Sequence, residues 1–194
     1  MPEETSTQYV AYTLYKVDPA WLRLPIEERA AAKDAFADVV EEWAERMDVR
    51  SYSLVGVRPE VDFMLWKLTD RYDDLRELGA DLNGTPLAGW VTTPYSYLAA
   101  TKPSQYFEQK GGRPRRVVPR GAPYLVVYPF VKKREWYSLP LDERRRAMQE
   151  HAAVGSRFVT ITNHTTYSFG IDDQEFMTAF ECEAPSDFLQ LMMT

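Results

Sequence analysis

Apolar and polar positions along the chain follow the same succession of periods twice. Residues 9–17 and 124–131 are rich in aromatic and β-branched side chains, a composition typical of strands. Each run leads into a Leu-Pro-x-(Asp/Glu)-Glu-Arg motif that opens a helix, because proline suits a first helical turn and acids favour its positive end. The apolar stripe of the first helix consists of Phe36, Val39, Val40, Trp43 and Met47.

Two further strands and a second helix follow in each copy. In the first copy they cover residues 49–55, 61–68 and 72–78, with a closing strand at 93–99. In the second copy they cover 158–169, 175–181 and a helix that begins near Ser186. This β-α-β-β-α order predicts an α+β fold, a duplicated ferredoxin-like repeat with mainly antiparallel sheets. Two such sheets pack face to face or curl into a barrel.

The duplication is also visible in the residues themselves. The stretch Trp21–Arg29 recurs as Trp136–Arg144, 115 positions later. The same offset maps Tyr52–Ser53 onto Tyr167–Ser168 without a gap. After a slip of two residues, the pairs Asp62–Met64 with Glu175–Met177 and Asp74–Leu75 with Asp187–Phe188 also match. Four matches in the same order indicate an internal repeat.

These boundaries predict an N-terminal copy at residues 1–100, a connecting loop at 101–120 and a C-terminal copy at 121–194. The loop is rich in basic residues, glycine and proline. Its cations are Lys102, Lys110, Arg113, Arg115, Arg116 and Arg120. It is either a solvated linker or an anion-binding flap, since guanidinium groups hold carboxylates and phosphates in forked pairs.

Charge and cysteine content narrow the function classes. A formal net charge of −6 argues against a nucleic-acid partner. The single cysteine, Cys182, excludes an internal disulfide and a thiolate metal cage, which fits a reducing cytosol. The first seven residues are polar and acidic, unlike a secretory signal, and no apolar run reaches the roughly 18 residues of a membrane span. We therefore expect a soluble, cytoplasmic protein.

His151 breaks the symmetry of the repeat. It aligns with Phe36, a position that the first copy predicts to face the core. An unpaired buried imidazole costs about 1–3 kcal/mol, so it needs a carboxylate, a carbonyl or a metal as its partner. The only other histidine, His164, lies on the following strand, which argues against a multi-histidine zinc or non-haem iron site. A single histidine suits haem iron, because the porphyrin supplies the other four ligands.

Tyr128 and Lys132 stand at the end of the apolar strand that opens the second copy. From the residues alone, they are either a core tyrosine and a cationic strand terminus or two groups at the rim of a pocket.

Several motifs in combination resemble the chlorite dismutase-like family, and most of all its coproheme decarboxylase branch, which acts at the last step of one bacterial haem pathway. The motifs are Tyr128-Pro-Phe-Val-Lys132, Trp136-Tyr-x-Leu-Pro-x-x-Glu-Arg144, His151 and Ser168–Phe176. The resemblance is strongest over residues 124–182. It implies a dimeric α+β barrel and a site for haem b or coproheme in the C-terminal copy.

The resemblance also implies roles for single residues. His151 is the proximal iron ligand, and Tyr128 becomes a radical that oxidises a propionate. Lys132 holds or activates a propionate, and Trp136 lies in a matched motif beside the cofactor. The loop arginines bind the remaining propionates, with these candidates: Arg113, Arg115, Arg116 and Arg120.

The family pattern differs from this chain in two places. Chlorite dismutases carry a distal arginine about 13 residues after the proximal histidine, and here that position is His164 or, with one gap, Asn163. This argues against chlorite decomposition and leaves both residues as candidates for the distal side. The family's last helix also supplies a glutamate that orients the proximal histidine, whereas this sequence stops at Thr194, so we expect weaker haem binding.

The implied substrates are a coproporphyrin-type iron porphyrin and hydrogen peroxide. The resemblance further implies a homo-oligomeric ring, often a pentamer. Two other functions stay open at this point. One is a peroxidase-like haem protein of the same family, and the other is a binding or structural family member without a cofactor.

Overall fold

The computed structural model describes residues 7–107 and 116–194. The chain divides into two compact units, Gln8–Leu98 and Ala99–Thr194, which we name the N-terminal unit and the C-terminal unit. None of the helices in the described ranges is long and apolar enough to cross a bilayer.

The N-terminal unit is an antiparallel sheet covered by two helices. Its elements are β1 (Tyr9–Val17), α1 (Ile26–Ala44), β2 (Asp48–Ser53), β3 (Phe63–Thr69), α2 (Tyr72–Asn83) and the start of β4 (Val91–Ala100). The strands lie in the order β2-β3-β1-β4. Short 3₁₀ helices at Pro19–Arg23 and Pro86–Trp90 precede α1 and β4.

The core of this unit confirms the predicted apolar stripe of α1. Phe36 is 7% exposed and Trp43 is 3% exposed, and both pack in one cluster with Tyr15, Leu65 and Leu78. The indole Nε1 of Trp43 donates to Asp81 at 2.8 Å, so its polar edge is paired. A buried Phe or Trp contributes about 3–5 kcal/mol relative to alanine, so α1 is held mainly by this packing.

The C-terminal unit repeats the same order of elements. They are β5 (Tyr124–Phe130), α3 (Arg134–Ser138), α4 (Leu141–Gly155), β6 (Ile161–Tyr167), β7 (Phe176–Cys182) and α5 (Pro185–Met192). The central strand β7 pairs antiparallel with β6 on one side and with β5 on the other. All seven of its residues are buried.

Strand register confirms the duplication and corrects one part of it. Tyr9 pairs with Thr69 in the first copy and Tyr124 pairs with Cys182 in the second, which preserves the offsets of 115 and 113. However, Met64 pairs with Tyr52, whereas its counterpart Met177 pairs with Thr166.

The gapless match of Tyr52–Ser53 to Tyr167–Ser168 is therefore wrong by one residue. The amide of Leu54 donates to the carbonyl of Asp62 as that of Ser168 donates to Glu175, which gives the same offset of 114. The second copy is thus one residue shorter before its second strand, β6, and one residue shorter again between β6 and β7.

The expectation that residue 151 faces the core is also wrong. α1 has 19 residues and buries Ala32, Phe36 and Trp43, whereas α4 has 15 residues and buries none. α4 ends at Gly155, the counterpart of Val40, and glycine is a weak helix former that adds no apolar contact. The counterpart of Trp43, Phe158, therefore lies beyond the end of the helix. His151 itself is exposed.

Candidate functional site

Tyr128 lies half-buried on one face of the C-terminal sheet. Its ring stacks on Phe180 with centroids 6.1 Å apart and lies 6.4 Å from the ring of Phe188 in α5. Its hydroxyl is 3.9 Å from the sulfur of Met192. Burial raises the pKa of Tyr128, so the phenol keeps its proton at neutral pH. A thioether is a weak hydrogen-bond acceptor, and none of the described side chains offers Tyr128 a base that could remove its proton.

Lys132 follows the end of β5, and its side chain contacts residues of the next two helices, α3 and α4. Its ammonium lies 3.9 Å from the ring centroid of Trp136 and 3.7 Å from the sulfur of Met148 in α4. Burial lowers the pKa of Lys132, and the negative charge of Glu175 acts in the opposite direction. The cation is thus half-buried against an aromatic face, a contact that favours its charged form.

His151 lies on the side of α4 that Lys132 reaches. Met148 and His151 are three residues apart, so they share one face of the helix. The imidazole is exposed and has no hydrogen-bond or ion-pair partner in residues 7–107 and 116–194. His151 is therefore not a core histidine paired with another group among the described residues. The ring nitrogens of His151 are available to bind a ligand from outside the chain.

The indole N–H of Trp136 has a hydrogen-bond acceptor within the protein. Its Nε1 donates to the hydroxyl of Tyr106 at 3.2 Å, and the two rings meet edge to face with centroids 6.0 Å apart. The Tyr106 hydroxyl also accepts from Gln105 at 2.9 Å. The polar edge of the indole is thus paired, and Lys132 lies over a face of the ring.

The two distal candidates lie on opposite faces of the sheet. Thr178 pairs with both Tyr128 and Thr165, and residues directly opposite in a ladder share a face. Asn163 is two residues before Thr165, so it lies on the face of Tyr128. His164 lies on the other face. The structure therefore brings Asn163, and not His164, to the side of Tyr128.

The Asn163 side chain is held in one orientation. Its Oδ1 accepts from the hydroxyls of Thr165 and Thr178, each at 3.0 Å. Its Nδ2 has no acceptor within the described ranges, and the side chain is exposed. This arrangement leaves an amide N–H pair, which is a donor, free to meet a ligand.

His164 belongs to a buried anchor on the opposite face. Its Nε2 is 2.7 Å from an oxygen of Glu181, and the two side chains are 7% and 1% exposed. The Glu181 carboxylate also accepts the amide of Arg120 at 2.9 Å and that of Gly121 at 2.8 Å. Gly121 has a φ of +76°, a conformation that favours glycine.

The anchor was not found by sequence reasoning. An acid within the strand Phe176–Cys182, which is apolar apart from Thr178, was the available signal, because a buried carboxylate needs several donors. Burial by itself raises the pKa of Glu181, but the hydrogen bonds from Arg120, His164 and Gly121 together hold it below its usual range. Glu181 thus fixes the end of the connecting loop to β7.

We expect Glu181→Gln to destabilise the protein by about 1–3 kcal/mol at pH 7, because a buried charged acceptor is lost. A carboxyl group whose pKa is lowered by folding stabilises the protein at pH values above its unfolded pKa of about 4.3. This stabilisation is lost as the pH falls through the folded pKa. The free energy of unfolding in urea should therefore fall less between pH 5 and pH 3 in the variant. Glu183→Gln at an exposed neighbour is the control, and an equal acid loss in Glu181→Gln would contradict the assignment.

The loop cations are only partly described. Arg116 is exposed and precedes the buried Val117. Arg120 contributes its backbone amide to Glu181, while its side chain is exposed. Arg113 and Arg115, together with Lys110, lie outside the described residues.

The fold and site define a duplicated ferredoxin-like protein whose second copy presents a free histidine, a half-buried tyrosine and a lysine. The sequence profile of the chlorite dismutase family matches residues 29–194. The chain belongs to the chlorite dismutase family.

Similar proteins span most of the chain. A coproheme decarboxylase from Mycolicibacterium smegmatis is 29% identical over 192 residues, which is 97% of this chain and 81% of that protein. The structure of chlorite dismutase from Candidatus Nitrospira defluvii in complex with imidazole has a TM-score of 0.84 and 26% identity, covering 96% of this chain and 81% of that one. A haem-binding protein from Thermus thermophilus has a TM-score of 0.82 and 25% identity, covering 100% and 85%.

Proposed function

We propose that this protein is a haem-pathway enzyme that binds coproheme and uses hydrogen peroxide to convert its propionates to vinyl groups. The observation that carries the proposal is the unpartnered imidazole of His151 on the side of α4 that contacts Lys132. The similarity to a coproheme decarboxylase supports the choice of substrate. A cytoplasmic location and a homo-oligomeric ring belong to the same proposal.

The described residues fit an iron porphyrin with propionate groups. A neutral imidazole is the usual haem ligand of this kind, and His151 has no protein partner among the described residues that competes for its nitrogens. Lys132 supplies a cation for a carboxylate, and Trp136 supports that cation. Arg113, Arg115 and Arg116 are proposed for the other propionates, because guanidinium groups pair with carboxylates in a forked geometry.

Tyr128 is proposed as the group that reacts with the propionate. A bound iron porphyrin supplies the peroxide chemistry that oxidises a nearby phenol. Tyr128 then takes a hydrogen atom from the propionate. Each decarboxylation releases carbon dioxide, one proton and two electrons from a propionate carboxylate. One hydrogen peroxide accepts those two electrons and two protons, the second of them from solvent, to give two water molecules. The protonated phenol of Tyr128 suits hydrogen-atom transfer, since its hydrogen is present before oxidation.

Lys132 selects the propionate that reacts. A fixed cation beside the reacting phenol orients one carboxylate, and orientation of this kind contributes much of an enzyme's rate. Lys132 stands four residues from Tyr128 on the same strand and its extension, so both serve the same substrate group.

Asn163 is proposed as the distal neighbour of the iron in place of His164. Its amide donor is held by Thr165 and Thr178, so it can donate to peroxide without a rotamer change. Chlorite decomposition is not proposed, because the chain carries no arginine from residue 159 to residue 181.

An absorbance titration with ferric coproheme tests the proposal. We expect a shifted Soret band on binding and release of carbon dioxide when hydrogen peroxide is added. An absent Soret change would refute every haem function. Binding without carbon dioxide release would refute the decarboxylase and favour a peroxidase-like family member.

A further inference from the structure

Glu175 joins the segments that carry Lys132. It directly precedes β7, and its Oε2 accepts the amide of Lys132 at 2.8 Å and the hydroxyl of Tyr137 at 2.5 Å. One carboxylate therefore connects the end of β5, the start of β7 and helix α3. Burial, together with the hydrogen bond to Glu175, raises the pKa of Tyr137, so its hydroxyl remains a donor at neutral pH.

The contact matters because the sheet does not hold Lys132. The ladder between β5 and β7 ends at the pair Phe130–Phe176, and Lys132 lies two residues beyond it. Glu175 replaces the missing ladder bond at that point. Charge-assisted hydrogen bonds to a carboxylate are about twice as strong as neutral ones, so they can define the path of a short connection.

The repeat provides an internal control for this carboxylate. In the first copy Asp62 occupies the equivalent position, and its carboxylate accepts the amide of Val17 at 2.8 Å. Val17 is the counterpart of Lys132, so both copies end their first strand in the same way. The second copy alone adds the Tyr137 hydroxyl, at the position of the exposed Leu22.

We propose that Glu175 is a positioning residue that holds Lys132 where its ammonium meets a porphyrin carboxylate. The inference rests on the proposed function for the identity of that carboxylate. The strand-closing contact itself does not require the site, since Asp62 makes it with the amide of Val17 in the first copy, where its other oxygen pairs with Lys16. In the second copy the same contact determines where a functional cation lies.

The test compares Glu175→Gln with the matched control Asp62→Asn in the full chain. We expect Glu175→Gln to weaken ferric coproheme binding by about tenfold, the lower range for loss of a group that orients a ligand-binding side chain. Lys132→Met should cause a similar loss, and the double variant Glu175→Gln/Lys132→Met should lose little more. Asp62→Asn should leave the dissociation constant within about twofold.

A measurement without porphyrin separates this inference from the proposed function. The ε-methylene protons of Lys132 lie against the Trp136 ring, so their NMR signal should be displaced by its ring current, and Lys132→Met identifies that signal. Glu175→Gln should move it towards the free lysine position, while Asp62→Asn should not. An unmoved signal, or additive losses in the double variant, would overturn the positioning role. A moved signal in a protein that does not bind coproheme would support the role of Glu175 and refute the proposed function alone.

Discussion

Replacing His151 with alanine is expected to remove the proposed iron ligand and to weaken ferric coproheme binding by about 10–100-fold or more. The Soret band of any remaining complex should also move, because the iron coordination changes. The free energy of unfolding should change by less than about 0.5 kcal/mol, since the imidazole is exposed and forms no hydrogen bond or ion pair with the described residues. Absorbance titration and urea unfolding measure the two effects separately.

Two control variants make this result specific. Gln149→Ala changes another exposed residue of α4 and should leave the spectrum unchanged. Phe36→Ala changes the equivalent position of the first copy, which is 7% exposed, and should cost about 3–5 kcal/mol of stability. Added imidazole should partly restore the His151→Ala spectrum. An unchanged spectrum in His151→Ala would exclude it as the ligand.

Tyr128→Phe is expected to reduce carbon dioxide release by about 10²–10⁴-fold, the range for loss of a positioned hydrogen-transfer group. Phenylalanine cannot supply or accept the phenolic hydrogen. It keeps the ring that packs on Phe180 and Phe188, so coproheme binding should stay within about twofold. Product analysis under peroxide, together with the absorbance titration, measures both quantities.

The control for this variant lies on the same strand. Tyr124 is four residues earlier on the same face of β5 and is 48% exposed. Tyr124→Phe should retain decarboxylation, because its phenol lies further from Lys132 along the chain. Retained carbon dioxide release in Tyr128→Phe would show that the reacting hydrogen is taken by another group.

Much of the fold could be predicted from the sequence, because the pattern of each element occurs in both copies of the repeat. The strand periods, the proline-initiated helices and the core position of Phe36 are all local signals, and the structure confirms them. The exposure of His151 was not accessible in this way. It depends on how α4 packs in the folded chain, which the periodicity of the first copy does not determine.

Sequence motifs supplied the candidate site residues only where those residues lie within the motifs themselves. Tyr128, Lys132 and His151 belong to matched motifs, but which of Asn163 and His164 shares the face of Tyr128 required the strand register, since a shift of one residue exchanges the faces of a strand. Glu175 and Glu181 were missed as anchors because both act on backbone amides that are distant in sequence. Such contacts appear only after the chain has folded.

The absence of buried side chains in α4 gives this helix a particular thermodynamic role. A helix of 15 residues is marginal in water without tertiary packing, whereas a fully buried strand such as β7 is expected to open only with its whole unit. A molecule that covers the His151 face would supply the packing that the described part of the chain does not provide. We therefore expect a ligand that covers the His151 face to increase the order of α4.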